Sequence, residues 1–173
     1  FYDCFIKLDI KSFYASIDQE KLMSILKKKI RKQEILLLIW SAIKTESLSY
    51  PVKEKKEKTQ RSKGIPEGLP ISNALANIYM SGIDKKYQNI DGISYYRYVD
   101  DILILVNEGK FFAIKKEIAK DINELGLELN EKKDEGKISE AFEYLGYTLS
   151  NDKVSVRKSS ILKLEQSMED LFG

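Results

Sequence analysis

Asp9, Asp100 and Asp101 are the side chains with the clearest capacity for joint chemistry. Asp100 and Asp101 are adjacent within Ser94-Tyr-Tyr-Arg-Tyr-Val-Asp-Asp-Ile-Leu-Ile-Leu-Val106, and Asp9 lies near the end of Phe5-Ile-Lys-Leu-Asp-Ile10. Tyr, Val, Ile and Leu on both sides of the pair favour strands, which puts both carboxylates on a tight turn. Two-residue hairpin loops prefer Asn-Gly or other glycine-containing pairs. Like charges side by side on such a turn break a local rule, as functional sites tend to do. Carboxylates on rigid turns hold hard divalent cations such as Mg²⁺, which take oxygen ligands. A solvated acidic turn is the alternative, and the pair by itself does not separate the two. Residues 5–10 read as a strand with Ile6, Leu8 and Ile10 on one face. Asp9 and Asp100 meet if the two strands are neighbours in one sheet. Two metal ions about 4 Å apart serve phosphoryl transfer by clamping the attacking and leaving oxygens.

Other chemistries are excluded by composition. The chain of 173 residues has no histidine, so histidine acid–base catalysis and histidine metal sites are absent. A single cysteine, Cys4, forms neither an internal disulfide nor a zinc cluster, fits a reducing, cytoplasmic compartment, and reads as a small apolar core residue. The longest apolar run, residues 35–40, is too short to span a bilayer, and the N-terminus does not look like a signal peptide. The length predicts one domain with a real core.

The elements that position the aspartates follow from periodicity and punctuation. Asp18 caps a helix carrying Leu22, Ile25 and Leu26, and a more apolar helix over 33–45 is expected to be buried. The next segment is basic: Lys53, Lys55, Lys56, Lys58, Arg61 and Lys63 against Glu54 and Glu57, six cations less two anions, a net +4 where the whole chain carries +2. Such a segment suits phosphate contacts that position nucleic acid without reading its sequence. Gly64, Pro66 and Gly68 make a tight turn that lets backbone approach a ligand. Ser72 reads as the cap of a helix with Leu75, Ile78, Tyr79, Gly82 and Ile83 on one face. A further helix over 110–125 buries Phe111, Ile114, Ile118, Ile122 and Leu125 and stops at Gly126. Short strands near 137–139, 142–149 and 153–156 precede a last helix from about 159. Helices alternating with strands around a central hairpin predict an α+β fold, a ferredoxin-like split β-α-β antiparallel sheet with helices on one face.

Five blocks in order resemble the palm domain of reverse transcriptases: Asp9-Ile-Lys-Ser-Phe-Tyr14, Pro66-Glu-Gly-Leu-Pro-Ile-Ser72, Tyr98-Val-Asp-Asp101, Leu125-Gly-Leu-Glu-Leu-Asn-Glu-Lys-Lys133 and Phe142-Glu-Tyr-Leu-Gly-Tyr147. Their flavour is similar to the bacterial enzymes of group II introns, retrons and phage defence. The resemblance implies an RNA-directed DNA polymerase that transfers dNTPs onto a DNA primer along an RNA template, with two Mg²⁺ ions for which Mn²⁺ can substitute. It makes Asp9 and Asp100 ligands of both metals and Asp101 a weaker, supporting ligand. The Ile10 carbonyl completes a shell. Ser12, Phe13, Tyr14, Glu67 and Gly68 face the nucleotide, with Tyr14 as the ring that excludes a 2′-hydroxyl. Lys133 steadies the leaving pyrophosphate, while Tyr98, Tyr144, Leu145 and Gly146 contact nucleic acid. Fingers precede this region in the family and a thumb follows it. The chain is therefore expected to be a palm over 1–157 with the start of a thumb over 158–173, and to polymerise poorly by itself. Glu67 departs from the family, which usually has glutamine there. A carboxylate only accepts hydrogen bonds and adds charge near phosphates, which points to a specialised, untemplated or protein-primed polymerase. An RNA-directed RNA polymerase or a nucleotide cyclase is disfavoured by Tyr98-Val99 and Tyr14. A non-catalytic palm scaffold is disfavoured by the presence of all three aspartates.

Overall fold

The structure, a computed structural model, describes residues 2–44, 62–131, 134–150 and 153–172. Its centre is the strand pair β1 (Cys4–Asp9) and β3 (Asp101–Val106), antiparallel in a register that sets Cys4 opposite Val106 and Asp9 opposite Asp101. β2 (Ile93–Tyr98) flanks β3 and β4 (Asp134–Lys137) flanks β1, giving the order β2-β3-β1-β4. Between β1 and β2 lie α1 (Phe13–Ser16), α2 (Gln19–Lys27), α3 (Gln33–Lys44) and α4 (Pro70–Gln88), and α5 (Phe111–Leu125) joins β3 to β4. This is the split β-α-β sheet that the sequence predicts.

Alternation along the strands decides which face the helices cover. Ile6, Ile102, Ile104 and Val106 point to one side and are wholly buried with Leu75, Tyr79, Met80 and Ile83 of α4 and Ile114, Ile118 and Ile122 of α5. These helix positions repeat at three- and four-residue spacing, as an apolar stripe must. Cys4 belongs to the same core, as expected. Asp18 caps α2 by accepting from the Lys21 N–H at 2.9 Å, and Gly126 ends α5 at φ 92°.

Three expectations need correction. The helix assigned to a Ser72 cap begins at Pro70, because proline at the first helical position has its φ already set and lacks only an N–H that would be unpaired there. Ser72 sits inside the first turn, and its hydroxyl donates to the Pro66 carbonyl at 2.6 Å. α3 is not buried all round: Ile39 and Ile43 are covered, whereas Leu37 and Leu38 are 59% and 71% exposed, since only one face meets α2. The strand expected at 137–139 lies earlier, over β4, where its residues pair with Cys4 to Lys7.

The other side of the sheet is half covered by a small sheet of β5 (Phe142–Tyr144), β6 (Tyr147–Leu149) and β7 (Val154–Val156). Phe142 stacks on Phe5 with ring centroids 4.0 Å apart, and Leu103 completes that cluster. The cover spans the Phe5–Leu103 end and leaves the aspartate end open. α6 (Lys158–Phe172) follows, with Ile161, Leu162, Leu164 and Met168 exposed. Among the described residues no helix is long and apolar enough to cross a membrane.

Candidate active site

The sheet brings together what the sequence could only suppose. Asp9 and Asp101 are direct cross-strand partners, and Asp100 stands on the adjoining turn. The two carboxylates do not share that turn, however. Asp101 opens β3 opposite Tyr98, so the loop residues are Val99 and Asp100. Val99 has φ 57°, in the left-handed region. A β-branched residue there is an outlier, with a cost on the order of 1–3 kcal/mol that surrounding structure must offset.

Three consecutive carbonyls of the turn are each held by a different group. Val99 accepts from the Arg97 guanidinium at 2.7 Å, Asp100 from the Ile10 N–H at 3.3 Å, and Asp101 from the Tyr144 phenol at 3.2 Å. Asp9 is fixed from the far side, where the Asn130 side-chain amide donates to its carboxylate and the Asn130 N–H to its carbonyl at 2.8 Å. Partial burial raises the pKa of Asp101, the charges of Asp100 and Asp9 raise it further, and Lys7 offsets part of the rise. Lys7, two residues before Asp9, pairs with Asp134 on β4.

Three carboxylates at one sheet end suit a hard cation by chemistry. They do not converge on one point, and among the described residues no cluster of three metal-binding side chains is close enough to ligate an ion. Mutual repulsion and the Asn130 hydrogen bond both favour that splay.

Beside the turn lies a cleft of about 340 Å³ lined by Tyr14, Glu67, Gly68, Ser72 and Asn73, among others. The Tyr14 phenol donates to the Asn73 side-chain carbonyl. Burial pushes its pKa up, followed by the charges of Asp100 and Glu67, so the ring lies within reach of both carboxylates. Backbone bonds place this wall: the Gly64 N–H donates to Ile17 at 2.7 Å, and the Ile65 N–H to Tyr14 at 2.9 Å. Gly64, at φ 92°, packs so closely that a Cβ would lie 3.1 Å from the Ala15 carbonyl oxygen. Glu67 and Gly68 are exposed at the turn before α4. Ser12 is exposed and left-handed at φ 47°, while the Phe13 ring is buried in the core and leaves only its backbone for a ligand.

Tyr98 is 63% exposed on the same sheet face as Asp101, with Tyr96 beside it. Leu145 and Gly146 form the β5–β6 turn, both at positive φ, and Leu145 is exposed. Tyr144 turns inward to the Asp101 carbonyl. Lys63 is exposed, and its backbone pairs with that of Asp18 in an isolated antiparallel β-bridge. Lys53, Lys55, Lys56, Lys58, Arg61 and Lys133 lie outside the described residues. Sequence reasoning missed Asn130 and the Arg97 network. One signal was available: alternation places Arg97 on the face of Ile93 and Tyr95, where an inward cation demands an anion.

The reverse transcriptase (RNA-dependent DNA polymerase) family matches residues 2–149. An uncharacterized 91 kDa protein in the cob intron of Schizosaccharomyces pombe is 34% identical over 85 residues, which is 49% of this chain and 10% of that protein. The fold is similar to telomerase from Candida albicans in complex with a TWJ fragment of telomeric RNA, with TM-score 0.71 and 15% identity over 91% of this chain and 31% of the other. It is also similar to apo telomerase from Candida tropicalis truncated from its C-terminal domain, with TM-score 0.67 and 20% identity over 89% and 35%. The chain thus spans about a tenth of the curated relative and about a third of these solved chains.

Proposed function

The chain belongs to the reverse transcriptase (RNA-dependent DNA polymerase) family, and from that premise we propose that it is the palm of an RNA-directed DNA polymerase that adds dNTPs to a DNA primer on an RNA template. The observation that carries this reading is the register of β1 on β3, which sets Asp9 across from Asp101 and beside the Asp100 turn, next to the Tyr14 cleft. Asp9, Asp100, Asp101 and the Ile10 carbonyl would hold Mg²⁺, with Mn²⁺ as a substitute. The bound ions would activate the primer 3′-hydroxyl and neutralise the departing pyrophosphate.

The protein's own residues orient the rest. Tyr14, held by Asn73, would be the ring that excludes a 2′-hydroxyl. Gly68 lines the cleft that would take the triphosphate, and the exposed Ser12, two residues before Tyr14, would add to it. The open sheet face, with Tyr98 and the Leu145–Gly146 turn, would carry the primer, and the segment from Lys53 to Lys63 the template–primer phosphates. Lys133 would serve the leaving group. In this reading residues 1–157 are palm and 158–173 the beginning of a thumb, acting with fingers and thumb of a parent chain in the cytoplasm. On motif flavour we propose the bacterial group II intron, retron and phage-defence enzymes as its relatives. Glu67 supports a second reading, an untemplated or protein-primed polymerase, because its carboxylate is exposed on the cleft wall near Tyr14.

Labelled-dNTP incorporation on a primed RNA template, by the protein carrying this chain and by its Asp100→Asn variant, tests both. Template-dependent DNA that disappears in the variant supports the first reading. Incorporation indifferent to template supports the second, and activity unchanged by Asp100→Asn removes the metal role.

A further inference from the structure

Arg97 is inward on β2, with its side chain only 8% exposed. Its Nε and Nη2 grip both oxygens of Asp84 on α4, at 2.8 and 2.7 Å. Its Nη1 donates to Asn77 on the same helix at 3.1 Å and to the Val99 carbonyl at 2.7 Å. The Tyr95 phenol donates to Asp84 at 2.9 Å and also lies against Arg97, while the hydrogen bond to the Val99 carbonyl comes from Arg97. One planar fork therefore connects the core helix to Val99, the β-branched residue held at φ 57° directly before Asp100.

We infer that Arg97 is a positioning residue for the turn that carries Asp100: anchored on Asp84, it holds the Val99 carbonyl, keeps Val99 in the left-handed region, and so fixes Asp100 at the sheet end where Asp9 and Asp101 stand. This rests on the proposed metal role of Asp100. Without that bond, Val99 relaxes to negative φ, the peptide between Val99 and Asp100 turns, and Asp100 is no longer held in one place at that sheet end. The opposite hold on the turn, from the Ile10 N–H to the Asp100 carbonyl at 3.3 Å, is a single longer bond and does not fix Val99 itself. Lysine cannot replace this function, because a point charge cannot grip a carboxylate bidentately and reach a carbonyl in a fixed direction.

Mn²⁺ titration of the chain, followed by electron paramagnetic resonance and by Tm, tests the inference. Wild type binds Mn²⁺ and Asp100→Asn does not. Arg97→Lys weakens binding about ten-fold, the scale on which residues behind metal ligands act, with near-UV circular dichroism retained. Tyr95→Phe lowers Tm and leaves Mn²⁺ affinity as it was. Val99→Gly introduced into Arg97→Lys restores affinity, because glycine adopts φ 57° without strain and no longer needs the brace. Should Arg97→Lys fail to fold, Asn77→Ala, on the exposed side of the fork, loosens the same turn and weakens binding in the same direction.

Wild-type affinity in Arg97→Lys, alongside loss in Asp100→Asn, overturns the brace and leaves the metal reading standing. No Mn²⁺ binding by wild type overturns both. Equal losses in Arg97→Lys and Tyr95→Phe, with no rescue by Val99→Gly, reduce Arg97 to general support of the fold and overturn the inference.

Discussion

Toward the helices, β1 and β3 present Ile6, Ile102, Ile104 and Val106, all without exposed surface. One residue along the same strands, on the opposite side, stand Lys7, Asp9, Asp101 and Leu103. The first set meets helix stripes from α4 and α5 and contributes only burial. The second is divided: Phe5 and Leu103 are sealed under Phe142, and Asp9 and Asp101 are left open beside a strained turn. Among the described residues, the non-glycine positions with positive φ are Ser12, Val99 and Leu145, and of these Val99 directly precedes Asp100 at the open end. Strain persists only where surroundings over-determine it. The apolar face thus provides the stability against which the other face holds like charges and unfavourable backbone.

That division is broken most directly by Asp100→Asn, which is expected to lower nucleotide incorporation on the order of 10³-fold, by removal of a ligand for the ions that would neutralise the departing pyrophosphate, and to leave Tm unchanged or raised. A Tm loss of many degrees would mean that the acidic end also supports the fold. The complementary change is Ile104→Ala, with an expected cost of about 2–5 kcal/mol for the cavity it leaves. Urea denaturation checks it, and activity should fall only with the folded fraction. A variant of full stability, or one inactive while folded, would show that the two faces are not separable.

The helix-side face was legible because it depends on local period. Ile6, Leu8 and Ile10 alternate, and Ile114, Ile118 and Ile122 repeat at helical spacing, so strand, helix and buried side follow from neighbours in the chain. The acidic triad was legible as residue types but not as geometry: nothing local reveals that Asp101 belongs to the strand and Val99 to the loop. Pro70 overrode Ser72 as the start of α4 because its fixed φ is a stronger constraint than a hydroxyl. Asn130 and Asp84 stayed hidden because their partners are 121 and 13 residues away, and a polar side chain carries no sign of which distant group will face it. The apolar residues of α3 suggested burial, yet composition does not say how many faces will find a neighbour.

The smallest expected effect sharpens the comparison, because each face carries a carboxylate with the opposite pH signature. Asp121 on α5 is pushed up by partial burial, but hydrogen bonds from Lys86 at 2.6 Å and Tyr87 at 2.7 Å outweigh this and hold its pKa below the ordinary 3.8. A depressed folded pKa contributes stability that is present above the unfolded value and is lost as pH falls through the folded one. Asp101 on the open side is raised instead, by burial and then by Asp100 and Asp9. Its favourable contribution is complete below 3.8 and is lost as pH rises through the raised value. Thermal melts of metal-free Asp121→Asn and Asp101→Asn between pH 3 and 7, each referred to wild type, should therefore diverge. Asp121→Asn loses Tm progressively as pH rises, whereas Asp101→Asn gains it, by a few degrees at most, since single surface-accessible charges act weakly. Parallel curves would mean that Asp101 is compensated as fully as Asp121, and that Lys7, already paired with Asp134, neutralises the acidic end far better than its position two residues from Asp9 suggests.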